Sequence, residues 1–261
     1  MKALSLAYSI CFLQAWCMAG LAQTADRLEL LFHKNHFGFG AELPVVFSKQ
    51  ENAWGSGELR ITPVPGTTLE FSFMYNFNRY FGLSTGTDAG IALLRYRVYA
   101  DAFQFSLPYS QSGQFVHLLP FIRFPFLATP RMLIDHKHLL MMEAGGYLTF
   151  FNFGKAIDRI ARGNGATSNP IFEMQIQQNK NIRLSFHIAA AYGLLLPNNN
   201  TVKISLAYDH GRHTMLTGEY AFMHDDITIG GGRLTSSLNY ASIAVMYILT
   251  RSGQAHKFSD Q

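Results

Sequence analysis

The residues of this sequence that could do chemistry are charged side chains set singly into apolar stretches. Glu42, Glu70, Glu143, Glu173 and Glu219, with Arg95, Arg97, Arg123, Arg183 and Lys203, fall at alternate positions opposite apolar ones. Side chains alternate across a strand, so these charges would share the inner face of a curved sheet. Charges held in a narrow interior must pair. The near-equal numbers of the two signs predict a paired network that closes the interior, with a selectivity ring or proton path as the alternative. Ten histidines add three close pairs, His33/His36, His136/His138 and His210/His213. Only His136 and His138 have same-face strand spacing, and no carboxylate or cysteine completes a metal set around them. No metal site and no cofactor is therefore expected. His224, Asp225 and Asp226 lie in one predicted loop, and Ser110 and Ser112 in another. Acid–base catalysis would need them within hydrogen-bond reach, which the spacing does not specify. Gly230, Gly231 and Gly232 lack the strand–helix context of a phosphate loop.

The element that would position these charges is best seen between residues 69 and 97. Leu69, Phe71, Phe73, Tyr75 and Phe77 alternate with Glu70, Ser72, Met74, Asn76 and Asn78. A short turn at 78–80 follows, and the alternation resumes with Phe81, Leu83, Ala89, Ile91 and Leu93 against Gly82, Ser84, Gly86, Asp88 and Gly90. This is a hairpin of two long strands. Strands of soluble proteins run about 5–6 residues, whereas a spanning strand needs about 9–11. A greasy outer face and a small, polar inner face form the pattern of a transmembrane β-barrel.

Composition agrees. Of 261 residues, 48% are hydrophobic and 15% charged, below the roughly 25% charge of an average soluble domain. The net charge of +4 is spread out, and no basic stripe interleaved with aromatics marks a nucleic-acid surface. Residues 1–22 read as an export leader: Lys2, an apolar run from Leu4 to Met18, and small residues before a cleavage site after Ala22. A membrane anchor is the alternative, against which the apolar core is short. Cys11 and Cys17 both lie in that leader, so residues 23–261 form one domain without cysteine.

The same alternation predicts ten strands: 36–47, the two of the opening hairpin, 114–127, 138–152, 170–178, 182–196, 201–210, 214–222 and 237–250. Eight is the alternative count. The expected fold is an all-β, antiparallel, up-and-down transmembrane barrel with long outer loops, short inner turns and both termini in the periplasm. Phe71, Phe73, Tyr75, Phe186, Ile188, Ile204 and Val245 are expected to face lipid. A soluble lipid-binding barrel would put its apolar face inside instead. Four long loops, 48–66 with Trp54, 99–113, 154–169 with Lys155, Asp158, Arg159 and Arg162, and 223–236, are where further function would sit.

The runs YNFNRYFGLSTGTDAG (75–90), EAGGYLTFF (Glu143 to Phe151) and NYASIAVMYILTR (239–251) resemble the small, porin-like outer-membrane β-barrel proteins of the Bacteroidota. The resemblance implies a bacterial outer membrane as location, its lipid bilayer as partner, and insertion by the barrel-assembly machinery. It implies no activity and no nucleic-acid partner. Such barrels end at or near an aromatic on the last strand, whereas here a polar tail, 252–261, follows. The expected role is structural, surface-binding or that of a small pore, with no extracellular ligand named by the sequence. The alternative is an outer-membrane enzyme acting on lipid or peptide at the outer rim.

Overall fold

The computed structural model describes residues 35–250, apart from 79, 104, 106–109, 136, 162–168 and 197–199. The leader with Cys11 and Cys17, His33, His136, Arg162 and the tail 252–261 lie outside the described residues. The described residues form one antiparallel sheet of twelve strands and no helix. In order these are β1 (Asn35–Gly55), β2 (Glu58–Ile61), β3 (Thr67–Asn76), β4 (Phe81–Ala100), β5 (Gln111–Leu133) and β6 (His138–Phe151). There follow β7 (Lys155–Ala161), β8 (Pro170–Gln178), β9 (Ile182–Leu195), β10 (Thr201–Gly211), β11 (Leu216–His224) and β12 (Ile227–Thr250).

Pairing runs β1-β3-β4-β5-β6-β9-β10-β12, and β12 returns to β1 in register from His36↔Thr250 to Phe47↔Asn239. The closed ring therefore has eight strands, not ten. The other four strands stand above it, at the end away from residues 35 and 250. β11 pairs with the upper half of β12, β8 with β11, β7 with β8, and β2 with the upper half of β4. Each continues a ring strand in the same direction. β6 leads up into β7, β8 down into β9, β10 up into β11, and β2 down into β3. The runs 170–178 and 182–196 are thus one wall interrupted at Asn179-Lys180-Asn181, not a hairpin. The runs 201–210 and 214–222 are likewise one wall interrupted at Gly211-Arg212-His213. Backbone bonds cross the interruptions: Asn179 N donates to Met215 O at 2.8 Å and Phe151 N to Asn181 O at 2.9 Å. A polar turn residue at a strand end looks the same in sequence whether the chain reverses or merely kinks, which is why ten strands were expected.

The same break decides which face is apolar. In the ring, apolar residues point outward and polar ones inward, as β1 shows with exposed Phe37, Phe39, Leu43 and Phe47 against buried His36 and Glu42. Above the breaks the order reverses. Phe172, Met174 and Ile176 of β8 and Phe222 of β11 are buried, whereas Gln175, Gln177 and Glu219 lie outside. Four strands, β1, β4, β5 and β12, pass through without a break and keep their parity, so they change residue type instead. On the outward face of β4, Ile91 and Leu93 give way to Arg95, Arg97 and Tyr99, while Asp88 on the inner face gives way to Leu94, Tyr96 and Val98. β5 and β12 do likewise, from Val116 to Gln114 and from Ala241 to Asn239. β12 also changes partner here, from β10 to β11, across a bulge at which Leu238 takes φ 54° and buries its side chain in the upper core.

Phe71, Phe73, Tyr75, Phe186, Ile188, Ile204 and Val245 all lie on the outer surface of the ring; Phe73 is half-buried by its neighbours, including the Phe37 ring 5.4 Å away. Four of the expected inner charges are on the outside instead. Arg95 has the parity of the outward residues of β4, as does Arg97. Glu173 and Glu219 belong to β8 and β11, above the ring, where the polar side faces out; Glu173 there accepts a hydrogen bond from Arg159 Nε at 2.9 Å.

Phe186 lies near the middle of the outward face of β9, flanked by Leu184 and Ile188. On the expectation that this face meets lipid, replacing it with Arg should cost about 2–4 kcal/mol, the penalty of a cation at the bilayer midplane. Urea unfolding in lipid vesicles measures it, and Gln175→Arg on the outer face of β8 should cost nothing comparable.

Candidate functional site

Every strand of the ring sends a polar side chain to one level of the interior. β1 gives Glu42, β3 Glu70, β4 Asp88, β5 Arg123, β6 Glu143 and Tyr147, β9 Arg183 and His187, β10 Lys203 and Asp209, and β12 Tyr240, all buried. They meet because each sits opposite its neighbour in register or one pleat away: Glu70↔Asp88, Asp88↔Arg123 and Glu143↔Ala189 are cross-strand partners.

Arg123 is the centre. Its Nε donates to Asp88 Oδ2 at 2.6 Å and its Nη2 to Glu70 Oε1 at 3.1 Å; Nη2 also donates to Glu42 and Nη1 to the Tyr240 hydroxyl. The guanidinium carbon lies 4.5 Å from the centroid of the Tyr147 ring, within cation–π range. A planar five-donor fork is the one side chain that can bridge three carboxylates from three strands at once. Two further pairs stand beside it. Lys203 Nζ donates to Glu143 Oε1 at 2.7 Å. Arg183 pairs with Asp209, which also accepts from Ser185 Oγ at 2.9 Å, while Arg183 Nε holds the Ser237 carbonyl at 2.9 Å. His187 stands edge-on to Tyr147 at 4.6 Å, with its Nδ1 unpartnered among the described residues. A cavity of about 30 Å³ remains among Glu42, Glu70, Asp88, Glu143, His187 and Lys203, room for about two waters.

The layer is covered on both sides. Above it, Leu94, Tyr96, Leu119, Phe121, Phe151, Phe172, Met174, Leu216, Phe222 and Leu234 pack into one apolar core. Below it, Met74, Met246 and Ile248 form one small cluster and Leu139, Met141 and Ala191 another. The interior is thus a stack of apolar cap, ionic layer and methionine-rich floor. Such a stack holds strands together and leaves little room for solute.

Of the charges expected inside, Glu42, Glu70, Glu143, Arg123, Arg183 and Lys203 converge here, while Glu173, Glu219, Arg95 and Arg97 do not. Asp88, Asp209, Tyr147, His187 and Tyr240 belong to the layer as well. The signal for them was parity alone, since each occupies the inward phase of its strand. A second polar cluster lies in the upper part. Asp158 of β7 accepts from His117 Nε2 of β5 at 2.6 Å and from the Tyr96 hydroxyl of β4. Burial, then the Asp158 carboxylate, pushes the Tyr96 phenol well above its ordinary value, so it stays a donor. β5 and β7 have no backbone pairing, and this cluster ties them by side chains. The other sets expected to do chemistry stay apart or do structural work. Ser110 Oγ accepts from Ala102 N at 3.1 Å, and His224 faces its neighbour Asp225, at 3.5 Å, on a hairpin tip. His36 and His210 bond Thr250 and Asn239, each at 3.2 Å, and His138 stacks on Tyr192.

Fold and interior together define a closed antiparallel β-barrel, apolar outside over its ring and crossed inside by a buried ionic layer. No family model and no curated protein matches the sequence. Among solved structures, the chain is similar to the outer membrane protein OprG from Pseudomonas aeruginosa, at 9% identity and a TM-score of 0.46 over 84% of this chain and 99% of that one. It is also similar to the outer membrane protein AlkL, at 11% identity and a TM-score of 0.37 over 89% and 96%. A third is the outer membrane protease OmpT from Escherichia coli, at 8% identity and a TM-score of 0.38 over 83% and 97%. No residue role, ligand or activity is carried across at that level.

Arg123→Met should leave three buried carboxylates facing one another and cost about 3–5 kcal/mol, as removal of one partner from a buried ionic set does. Replacing both Lys203 and Glu143 with Met removes a pair together and should cost much less. Urea titration in vesicles separates the two outcomes.

Proposed function

We propose that this chain is an integral β-barrel protein of a bacterial outer membrane, exported by a cleaved leader and inserted by the barrel-assembly machinery. Its role is structural or surface-binding, with a lumen sealed by the ionic layer and the cap above it. The observation that carries this reading is the change of residue type along the unbroken strands β1, β4, β5 and β12. Apolar side chains face outward only over the ring, and the outward run of β1 from Phe37 to Phe47 has the length of a spanning strand. A soluble barrel has no cause to be apolar outside below a given level and polar outside above it.

Orientation follows from the turns. The ring end that carries residues 35 and 250 also carries the short connections after Asn76 and Leu133, capped by Asn78 and Asp135. The taller end carries the four extra strands and the exposed Trp54. Short turns and chain ends on the periplasmic side, and long projections outside, are usual for bacterial barrels. The resemblance of the 75–90, 143–151 and 239–251 runs supports a small barrel of the Bacteroidota type. The upper, tightly packed part then stands outside the cell as a rigid head, suited to contact rather than to catalysis, and no enzyme role is assigned.

Planar-bilayer recording tests the sealed lumen. The wild-type protein should show no stable conductance. A steady open channel of porin size would contradict the seal and favour the small-pore role.

A further inference from the structure

The outer surface of β2, β4 and β5, just above the ring, carries an arrangement that a plain solvated face would avoid. Arg60 of β2 and Arg97 of β4 are direct cross-strand partners, both outward and exposed. Like charges so placed have Cβ atoms about 4.5–5.5 Å apart and repel. Arg95 follows on the same face, with its Nε lacking any hydrogen-bond partner among the described residues. The nearby groups only partly offset three guanidinium ions. Arg60 donates twice to Glu58 Oε1, at 3.1 and 2.7 Å, and Arg97 Nε donates to the neutral Gln114 Oε1 at 3.1 Å. A groove of about 530 Å³ runs between Arg60 and Arg97, bounded by Thr62, Tyr99 and Ser112, and Arg95 stands two residues below Arg97 on β4, outside that lining.

Height identifies the occupant. Arg95 lies two residues above Leu93, the last apolar outward residue of β4, and opposite Val116, the last of β5. On the membrane reading above, on which this inference rests, that level is where lipid headgroups begin. We propose that Arg60, Arg95 and Arg97 form a binding site for the phosphate ester of an outer-leaflet lipid, whose acyl chains lie along Ile91, Leu93 and Leu118. Guanidinium forks match phosphate oxygens two at a time, and one phosphate between Arg60 and Arg97 converts their repulsion into a bridge. The exposed Tyr99 ring bounds the site on the side away from the membrane.

The test uses the full chain in maltoside micelles titrated with fluorescent phosphatidic acid, with diacylglycerol and inorganic phosphate as competitors. Binding should saturate and resist both competitors. The double variant Arg60→Gln, Arg97→Gln should weaken it about thirtyfold, as two basic residues facing a lipid phosphate imply. Lys155→Gln with Arg159→Gln, on the outer face of β7, should leave it unchanged. Equal affinity in the first variant, or equal loss in the second, would overturn the site. Displacement by inorganic phosphate at matched concentration would overturn the lipid as its source. A chain that stays folded and dispersed without detergent defeats the membrane reading and this inference together. A detergent-requiring barrel that binds both variants alike defeats the inference alone.

Discussion

Backbone pairing between β1 and β12 is the constraint on which everything else rests. A sheet surrounded by hydrocarbon can leave no N–H or C=O unpaired, so it must close. The ladder from His36↔Thr250 to Phe47↔Asn239 does this, joining residues about two hundred apart in the chain. Once closed, eight strands enclose an interior scarcely wider than their own side chains. That narrowness brings Arg123 within reach of Glu42, Glu70 and Asp88 from three other strands. The ionic layer is thus a consequence of closure as well as its reinforcement. Each carboxylate tied to Arg123 fixes the rotation of one more strand about the barrel axis.

Above the ring the outward residues change from apolar to polar, and the chain makes the change in two ways. β1, β4, β5 and β12 keep their phase and exchange residue types. The walls β2/β3, β6/β7, β8/β9 and β10/β11 keep alternating but break, and each break shifts the phase by one so that the apolar side turns inward. A one-residue slip moves a whole side-chain set to the other face; here the slip is placed at the surface of the ring, where it is needed. The upper strands then bury Phe172, Met174, Phe222 and Leu234 as a soluble protein would. The unpaired edge between β5 and β7 is bridged by Asp158 with His117 and Tyr96 rather than by backbone.

Much of this was legible as period-two alternation. The hairpin of β3 and β4, the outward Phe186, Ile204 and Val245, and the inward Glu42, Arg123 and Lys203 follow from parity within single strands. The wall count did not, because Asn179-Lys180-Asn181 and Gly211-Arg212-His213 carry the composition of hairpin turns and act as kinks. Alternation also reports which residues share a face but not which face is inside. Glu173 and Glu219 were therefore assigned to the lumen from a pattern that above the ring means the reverse. Arg95 was misplaced differently, since its odd position on β4 already matched Ile91 and Leu93. Asp88, Asp209 and Tyr240 carry the inward parity, but only three-dimensional register brings them to one level with Arg123.

The central claim, that the bilayer ends where the outward residues change type, is tested most directly by a depth scan along β4. Single cysteines at positions 87, 89, 91, 93, 95, 97 and 99, spin-labelled in vesicles, report relative exposure to lipid-soluble oxygen and to a water-soluble nickel complex. The account predicts oxygen-dominated relaxation from 87 to 93, with a change to nickel-dominated relaxation between 93 and 95. Water-like exposure along the whole series, or lipid-like exposure continuing through 99, would contradict it.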